Sequence, residues 1–345
     1  MPESGGNVAT IRLVLGHFKN DLGHGGTIAQ EEIALASAQG WMGMGLRWDG
    51  VGRESRESLN LPPEPMAKFK ISLNMEFCRS ADKSFEAGVK IASELGYEYV
   101  EPMVHTGWEL LSEVHYFHSY SMEEDNLLMK EICDRHGMKV SSISGHSPLM
   151  KPEAAVPRLT KAIQLAEAVG AKFVNTDEMV KPEWMDDGLA HEVMRYTLTK
   201  ADLVARRHGV YVCIEPHGIY TKTADGLLKI VNLVKSPWIQ VNWDTGNSYL
   251  AGLEDPYEGL EKVRDHVRHV HAKDISMEHS AREKGKVTGT PVGCACGEGI
   301  VDWERVISIL RPLDREIFLS VECGKIDEAE RSLGFMKKLV GQMER

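Results

Sequence analysis

From Lys68 to the C-terminus, short apolar runs rich in Val, Ile and Phe alternate with longer stretches whose apolar residues return every three or four positions. The apolar runs fall at 69–77, 97–104, 138–146, 171–178, 210–217, 239–246, 267–275 and 316–323. Each has the length of a strand buried on both faces, as in a parallel sheet covered by helices. The periodic stretches at 84–95, 121–136, 154–169, 186–208, 223–234, 255–265, 301–310 and 326–340 predict the helices. The first four stop at Gly96, Gly137, Gly170 and Gly209, the residue type that accepts a positive φ just past a helix end. Eight strand–helix units in about 280 residues predict a (β/α)₈ barrel. A doubly wound open sheet would carry a Gly-rich phosphate loop after its first strand, and none follows 69–77.

Residues 1–65 break this pattern. They hold eleven of the thirty-two glycines and one helical stretch at 27–39, and they end in Leu61-Pro62-Pro63-Glu64-Pro65. So little apolar surface predicts a poorly ordered N-terminal extension, followed by a barrel domain over 66–345. Hydrophobic residues at 42% and charged residues at 26% exclude disorder over most of the chain. A formal charge of −11 speaks against a nucleic-acid partner. No apolar run nears the roughly 18 residues that span a bilayer, and no basic stretch leading into an apolar one marks a secretory signal. The six cysteines are scattered apart from Cys294 and Cys296, which form neither a disulfide framework nor a zinc signature. The expectation is a cytoplasmic protein without membrane contacts.

In such barrels the chemistry sits at the C-terminal ends of the strands, where residues two apart share the inward face. Run five ends Ile214-Glu215-Pro216-His217, run six contains Asn242-Trp243-Asp244, run seven His269-Val270-His271-Ala272-Lys273, and run eight Ser320-Val321-Glu322. Four consecutive strands thus each bring a carboxylate or an imidazole to one mouth. Three carboxylates cannot share a low-dielectric mouth without a cation. Glu215, Asp244, His271 and Glu322 are therefore the predicted ligands of one divalent metal. Mostly oxygen with one nitrogen, the set suits Mn²⁺ first, with Mg²⁺ and Co²⁺ as alternatives, better than structural Zn²⁺. His217, two residues beyond Glu215, faces the same mouth and is the predicted general base.

The other half of the mouth offers Glu76 on run one, Glu101 and His105 on run two, His146 on run three and Asn175 on run four, with Lys273 joining from run seven. Each is either a substrate contact or a buried hydrogen-bonding residue, and the same holds for Asn74 and Asp177. His269, one inward step deeper than His271, reads as core. The long connection 276–299 predicts a shaped loop over the mouth.

These strand ends resemble the sugar phosphate isomerase/epimerase superfamily, the xylose-isomerase-like TIM barrels that also include type-2 AP endonucleases. The resemblance spans 68–345 and rests on Ile214-Glu215-Pro216-His217, Asp244-Thr245-Gly246-Asn247, His269-Val270-His271-Ala272-Lys273-Asp274 and Val321-Glu322. It implies one divalent metal on the Glu/Asp/His/Glu set and a sugar or polyol substrate with a carbonyl. Within the superfamily the chain is most similar to the catalytic α subunits of bacterial C-glycoside deglycosidases and related 3-oxo-glycoside lyases. Ser72-Leu73-Asn74-Met75-Glu76-Phe77, Glu101-Pro102-Met103-Val104-His105 and the loop 289–299 carry that narrower similarity. It implies removal of the C2 proton of a 3-oxo-glycoside and loss of the C1 substituent. It also implies a small β subunit in a hetero-oligomer, with a homo-oligomer as the alternative. An epimerase or isomerase of keto sugars on the same metal is the second implication, and a non-catalytic sugar-binding subunit the third. The DNA-repair branch, which assembles three zinc ions from many more histidines and acids, agrees poorly with the charge of this chain.

Overall fold

In the computed structural model, which describes residues 66–106, 118–285 and 293–343, the apolar runs form one parallel sheet rolled into a barrel. Its strands are β1 (Lys68–Asn74), β2 (Tyr99–Glu101), β3 (Lys139–Val140 continued by Ser142–Ser144), β4 (Phe173–Thr176), β5 (Tyr211–Ile214), β6 (Ile239–Asp244), β7 (Val267–Ala272) and β8 (Glu316–Val321). β1 pairs with β2 on one side and β8 on the other, and the pairing continues from β8 through β7, β6, β5 and β4. The break at Ser141 closes the ring, because Lys139–Val140 pairs with β2 while Ser142–Ser144 pairs with β4. The expected barrel is the observed fold. The predicted extension at 1–65 lies outside the described residues.

The barrel's helices are α1 (Phe85–Leu95), α2 (Asn126–Arg135), α3 (Pro152–Val169), α4 (Asp187–His208), α5 (Ala224–Val231), α6 (Pro256–Val263), α7 (Trp303–Leu310) and α8 (Ile326–Met343). Ser84, Asp125, Asp186, Thr223, Asp255 and Asp302 cap six of their N-termini by accepting a backbone N–H. The four glycine stops hold φ of 89°, 68°, 81° and 65° at Gly96, Gly137, Gly170 and Gly209. Among the described residues, no helix is long and apolar enough to cross a membrane.

Inside the barrel the chemistry changes with height. At the floor, Phe173 and Phe318 meet edge to face, with Tyr99 and Tyr211 against them. Above them lies a buried polar layer. Ser142 Oγ lies 2.9 Å from His269 Nε2, and Asn242 Oδ1 lies 2.8 Å from His269 Nδ1. The polar groups that line a pocket at the C-terminal mouth stand higher still.

Three departures from the sequence pattern shape that mouth. β1 ends at Asn74 rather than 77, because the Asn74 side chain accepts from Glu76 N–H at 3.0 Å and starts a 3₁₀ turn, Met75–Ala81. Asp244 accepts from Asn247 N–H at 2.8 Å and starts the short helix Thr245–Ala251 directly off β6. Run seven divides after Ala272, and Asp274–Ile275 pairs antiparallel with Gly293–Cys294. Of the predicted loop 276–299, residues 286–292 lie outside the described set. The rest holds the helix Met277–Glu283 and a segment gathered on Asp274. The Asp274 carboxylate accepts from the N–H groups of Ile275, Gly297, Gly299 and Val301 and from the Trp303 indole, all within 3.3 Å.

Candidate active site

Glu215 follows β5, Asp244 closes β6, His271 lies on β7, and Glu322 follows β8. One ligand atom from each lies within 4.8 Å of the others. In the sheet register His271 is level with Asp244 and Ser320, so Glu322 stands one inward step higher. Asn242 and Asn247 fix Glu215 by donating to its two oxygens at 3.2 and 3.0 Å. His271 Nδ1 lies 3.1 Å from Glu215 Oε2 and 3.3 Å from Glu322 Oε2. Lys273 donates to the other Glu322 oxygen at 2.8 Å.

The electrostatics show how strongly this cluster demands positive charge. Burial, with Glu322 and Glu215 adding to it against the pull of Lys273, pushes the Asp244 carboxyl up to about 7. Burial opposes the charge on His271, yet Glu101 and Glu215 outweigh it and hold the imidazole well above its usual range. The test of a cation site is whether buried polar atoms there lack partners. Among the described residues, Asp244 Oδ2 and His271 Nδ1 are buried without a hydrogen-bond partner, and both belong to the cluster. Three carboxylates and one imidazole with lone pairs left over fit a divalent cation.

A pocket of about 180 Å³ opens at this mouth, lined by Glu215, His271 and Glu322 together with His217, His146 and Lys273. Asp244, fully buried, is not part of that lining. His217 Nδ1 lies 2.5 Å from Asp177 Oδ2, and His146 Nδ1 lies 3.6 Å from the other Asp177 oxygen. The two imidazole rings stand 5.9 Å apart. Burial resists charge on both rings. Asp177 nevertheless raises His217 above its usual value and His146 to about 9. Asp177 is itself aimed by the next turn, in which its Oδ1 accepts from Met179 N–H at 3.2 Å while Met179 holds a φ of 54°. A non-glycine residue in that region beside a pocket is a local strain held by its surroundings.

The loop that carries His217 is tied to β4 as well. Glu178, fully buried, accepts from Tyr220 N–H at 2.7 Å, Thr221 N–H at 3.1 Å and Thr221 Oγ1 at 2.8 Å. Thr221 Oγ1 in turn accepts from His217 N–H at 3.1 Å and Gly218 N–H at 2.9 Å.

The remaining predicted residues divide. Glu76 and Asn74 line the pocket, with Glu76 paired to Arg79 at 3.4 Å. Glu101 and Asn175 do not line it. They lie buried below, where Asn175 Nδ2 donates to Glu101 at 2.6 Å and Glu101 faces His271. His105 is also outside the pocket lining, on the short strand Val104–His105, with Nδ1 2.8 Å from Ser119 Oγ. The partnership of Asp177 with His217 was not visible in the sequence. Its only signal there is a polar residue at a strand end.

The chain is 29% identical over 170 residues to the 3-oxo-isoapionate decarboxylase of Pectobacterium atrosepticum, a match covering 49% of this chain and 58% of that one. It is 29% identical over 132 residues to the inosose dehydratase of Clostridium perfringens, covering 36% of this chain and 44% of that one. The matches thus span about half the length of these curated relatives. A xylose isomerase-like TIM barrel protein of Mycobacterium smegmatis, solved in complex with magnesium, superposes with a TM-score of 0.59 at 14% identity, over 81% of this chain and 97% of that one. With its strands closed into one parallel ring and residues 89–339 matching the family's sequence profile, the chain belongs to the xylose isomerase-like TIM barrel family.

Proposed function

We propose that this protein is a divalent-metal-dependent lyase for 3-oxo-glycosides, which removes the C2 proton and expels the C1 aglycone. The observation that carries the reading is the place of His217. It faces the pocket beside the carboxylate cluster, and its partner Asp177 is not a member of that cluster. A base that is not a ligand leaves all four cluster residues for the cation. The two curated relatives are named as a decarboxylase of a 3-oxo compound and a dehydratase, and neither name is that of a hydrolase.

Glu215, Asp244, His271 and Glu322 would hold the cation, with Mn²⁺ the proposed native ion. When bound it supplies Lewis-acid stabilisation to a carbonyl oxygen that takes up negative charge. His217 Nε2 takes the C2 proton. The C2–H electron pair is first taken up by the C3 carbonyl as an enolate, and it then returns to form the C1=C2 bond as the bond from C1 to the aglycone breaks. No oxidant and no water is consumed, and the same elimination cleaves a C–C linkage where the aglycone carbon can carry the bonding pair. The aglycone leaves with its bonding pair and needs a proton. His146, across the same pocket and raised above its usual value chiefly by Asp177, is placed to return one.

An epimerase of keto sugars is the second reading, favoured by Glu215 and Glu322 both lining the pocket. Incubation with a 3-oxo-glycoside and with a free ketose decides between them. Released aglycone is the outcome expected here, and a rearranged ketose with no aglycone release replaces the lyase by the epimerase. The proposal includes a small second subunit, which co-purification from the native cell tests, and metal analysis of the same preparation tests Mn²⁺.

A further inference from the structure

Below the ligand cluster lies a polar group that the pocket does not reach. Glu101 and His269 are buried there, against the pocket-lining His271. His271 Nε2 lies 3.1 and 3.2 Å from the two Glu101 oxygens. Asn175 Nδ2 holds Glu101 Oε1 from the side at 2.6 Å. An ionised carboxylate only accepts hydrogen bonds, so the ring nitrogen facing it carries the proton. The proton on Nε2 leaves Nδ1 of a neutral ring with its lone pair, and Nδ1 is the buried, unpartnered atom that points at Glu215 and Glu322.

We infer that Glu101 is the positioning residue of the metal site: it fixes His271 as the Nε2–H tautomer, presents Nδ1 to the cation, and touches neither cation nor substrate. The inference rests on the reading of Glu215, Asp244, His271 and Glu322 as the ligand set. Carboxylates that hold the far nitrogen of a metal-bound imidazole orient the ring and raise its basicity.

Taken by type alone, Glu101, His269 and His271 are also a ligand set, and their ligand atoms lie close enough for a second cation. The hydrogen bonds argue otherwise. Both nitrogens of His269 have partners, Asn242 Oδ1 at 2.8 Å and Ser142 Oγ at 2.9 Å. Its Nε2 stands 3.7 Å from Glu101, too far for a bond. A ring engaged on both sides has no lone pair to give, so Glu101 serves the site above it.

The test is a Co²⁺ titration of the wild type, Glu101→Gln and the ligand variant Glu322→Gln, followed by calorimetry and by the cobalt absorption bands. One ion per chain is expected in the wild type. Glu101→Gln should bind it roughly 10–100-fold more weakly, with shifted bands. Equal affinity and identical bands in Glu101→Gln, with binding lost in Glu322→Gln, overturn the role of Glu101 alone. A wild type that binds no ion overturns the ligand set and the inference with it. Two ions per chain make Glu101 a ligand and overturn the inference. If Glu101→Gln does not fold, the tautomer is read on wild-type protein by ¹⁵N-histidine NMR with Zn²⁺ bound. A proton on Nδ1 of His271, instead of on Nε2, overturns it there.

Discussion

His217 Nδ1 meets Asp177 Oδ2 across 2.5 Å, and the carboxylate it meets is buried at the end of β4. Because that carboxylate only accepts, the ring proton sits on Nδ1 and Nε2 is free to act as a base toward the pocket. In Asp177→Asn the amide offers both a donor and an acceptor, and the tautomer is no longer enforced. The expected loss in kcat is roughly 10²–10⁴-fold, the range of a missing general base. His217→Ala should fall in the same range and keep its metal. The two act as one device, so the double variant should be no slower than His217→Ala. Solvent-hydrogen exchange at the substrate's C2 should vanish in all three. Metal loss from His217→Ala would make it a ligand, and exchange at the normal rate would assign the base elsewhere.

The same carboxylate ties stability to pH. Burial alone would raise Asp177, but His146 and His217 outweigh it and hold it well below the usual carboxylate range. A depressed carboxyl contributes stability that is present above its unfolded value, near pH 4, and is lost as pH falls through its folded value. The raised imidazoles contribute stability that is complete below roughly pH 6.5 and lost as pH rises through their folded values, about 9 for His146. In chelator, the melting temperature of the wild type minus that of Asp177→Asn should therefore be largest between about pH 4 and 6.5 and shrink toward alkaline pH. A difference that stays flat from roughly pH 6.5 up through the folded value of His146, about 9, contradicts the coupling.

Asp244 has two duties that one substitution separates. Its Oδ1 caps Thr245–Ala251, while its Oδ2 has no hydrogen-bond partner among the described residues. Asparagine can still accept at the cap but brings no charge to the cation. Asp244→Asn should fold, lose divalent-ion binding by calorimetry, and lose turnover. The wild-type carboxyl is raised to about 7, first by burial. Above that pH, holding it ionised costs folding free energy when no cation is bound, so in chelator at pH 8 the variant should melt no lower than wild type. Full activity with no metal would end the ligand reading.

Much of this site is legible in the sequence because the barrel converts local spacing into geometry. Glu215, Asp244, His271 and Glu322 stand at the ends of neighbouring strands, and period two suffices to aim them at one mouth. Gly96, Gly137, Gly170 and Gly209 mark helix ends through a property of their own backbones. Partnerships across the barrel are different. Asp177 and His217 are forty positions apart, and Glu101 and His271 are one hundred and seventy apart. Which side chain fills which height in the interior depends on the stagger of strands that no single run encodes. For the same reason Glu101 and Asn175 read as mouth residues although they stand beneath it. The helix Thr245–Ala251 escapes notice because it depends on one cap made by a residue that also reads as a metal ligand.

Gly218 shows how the base is held in place. A Cβ there would overlap the Glu178 carboxylate, and that carboxylate holds the backbone and hydroxyl of Thr221, which in turn holds His217 N–H. Gly218→Ala must push Glu178 aside or shift residues 217–221. Overpacking of this kind costs about 1–3 kcal/mol, so the melting temperature should drop by several degrees. If the loop sets the base, kcat should fall at least about tenfold at temperatures where the variant is fully folded, since small displacements of a catalytic group are expensive. Gly334→Ala on α8 is the control. Among the described residues a Cβ there meets nothing within 4 Å, and alanine in a helix is favoured over glycine by roughly 0.5–1 kcal/mol. That variant should be slightly more stable and fully active. Gly218→Ala with lowered stability but wild-type kcat would show that Glu178 supports the fold and does not position His217.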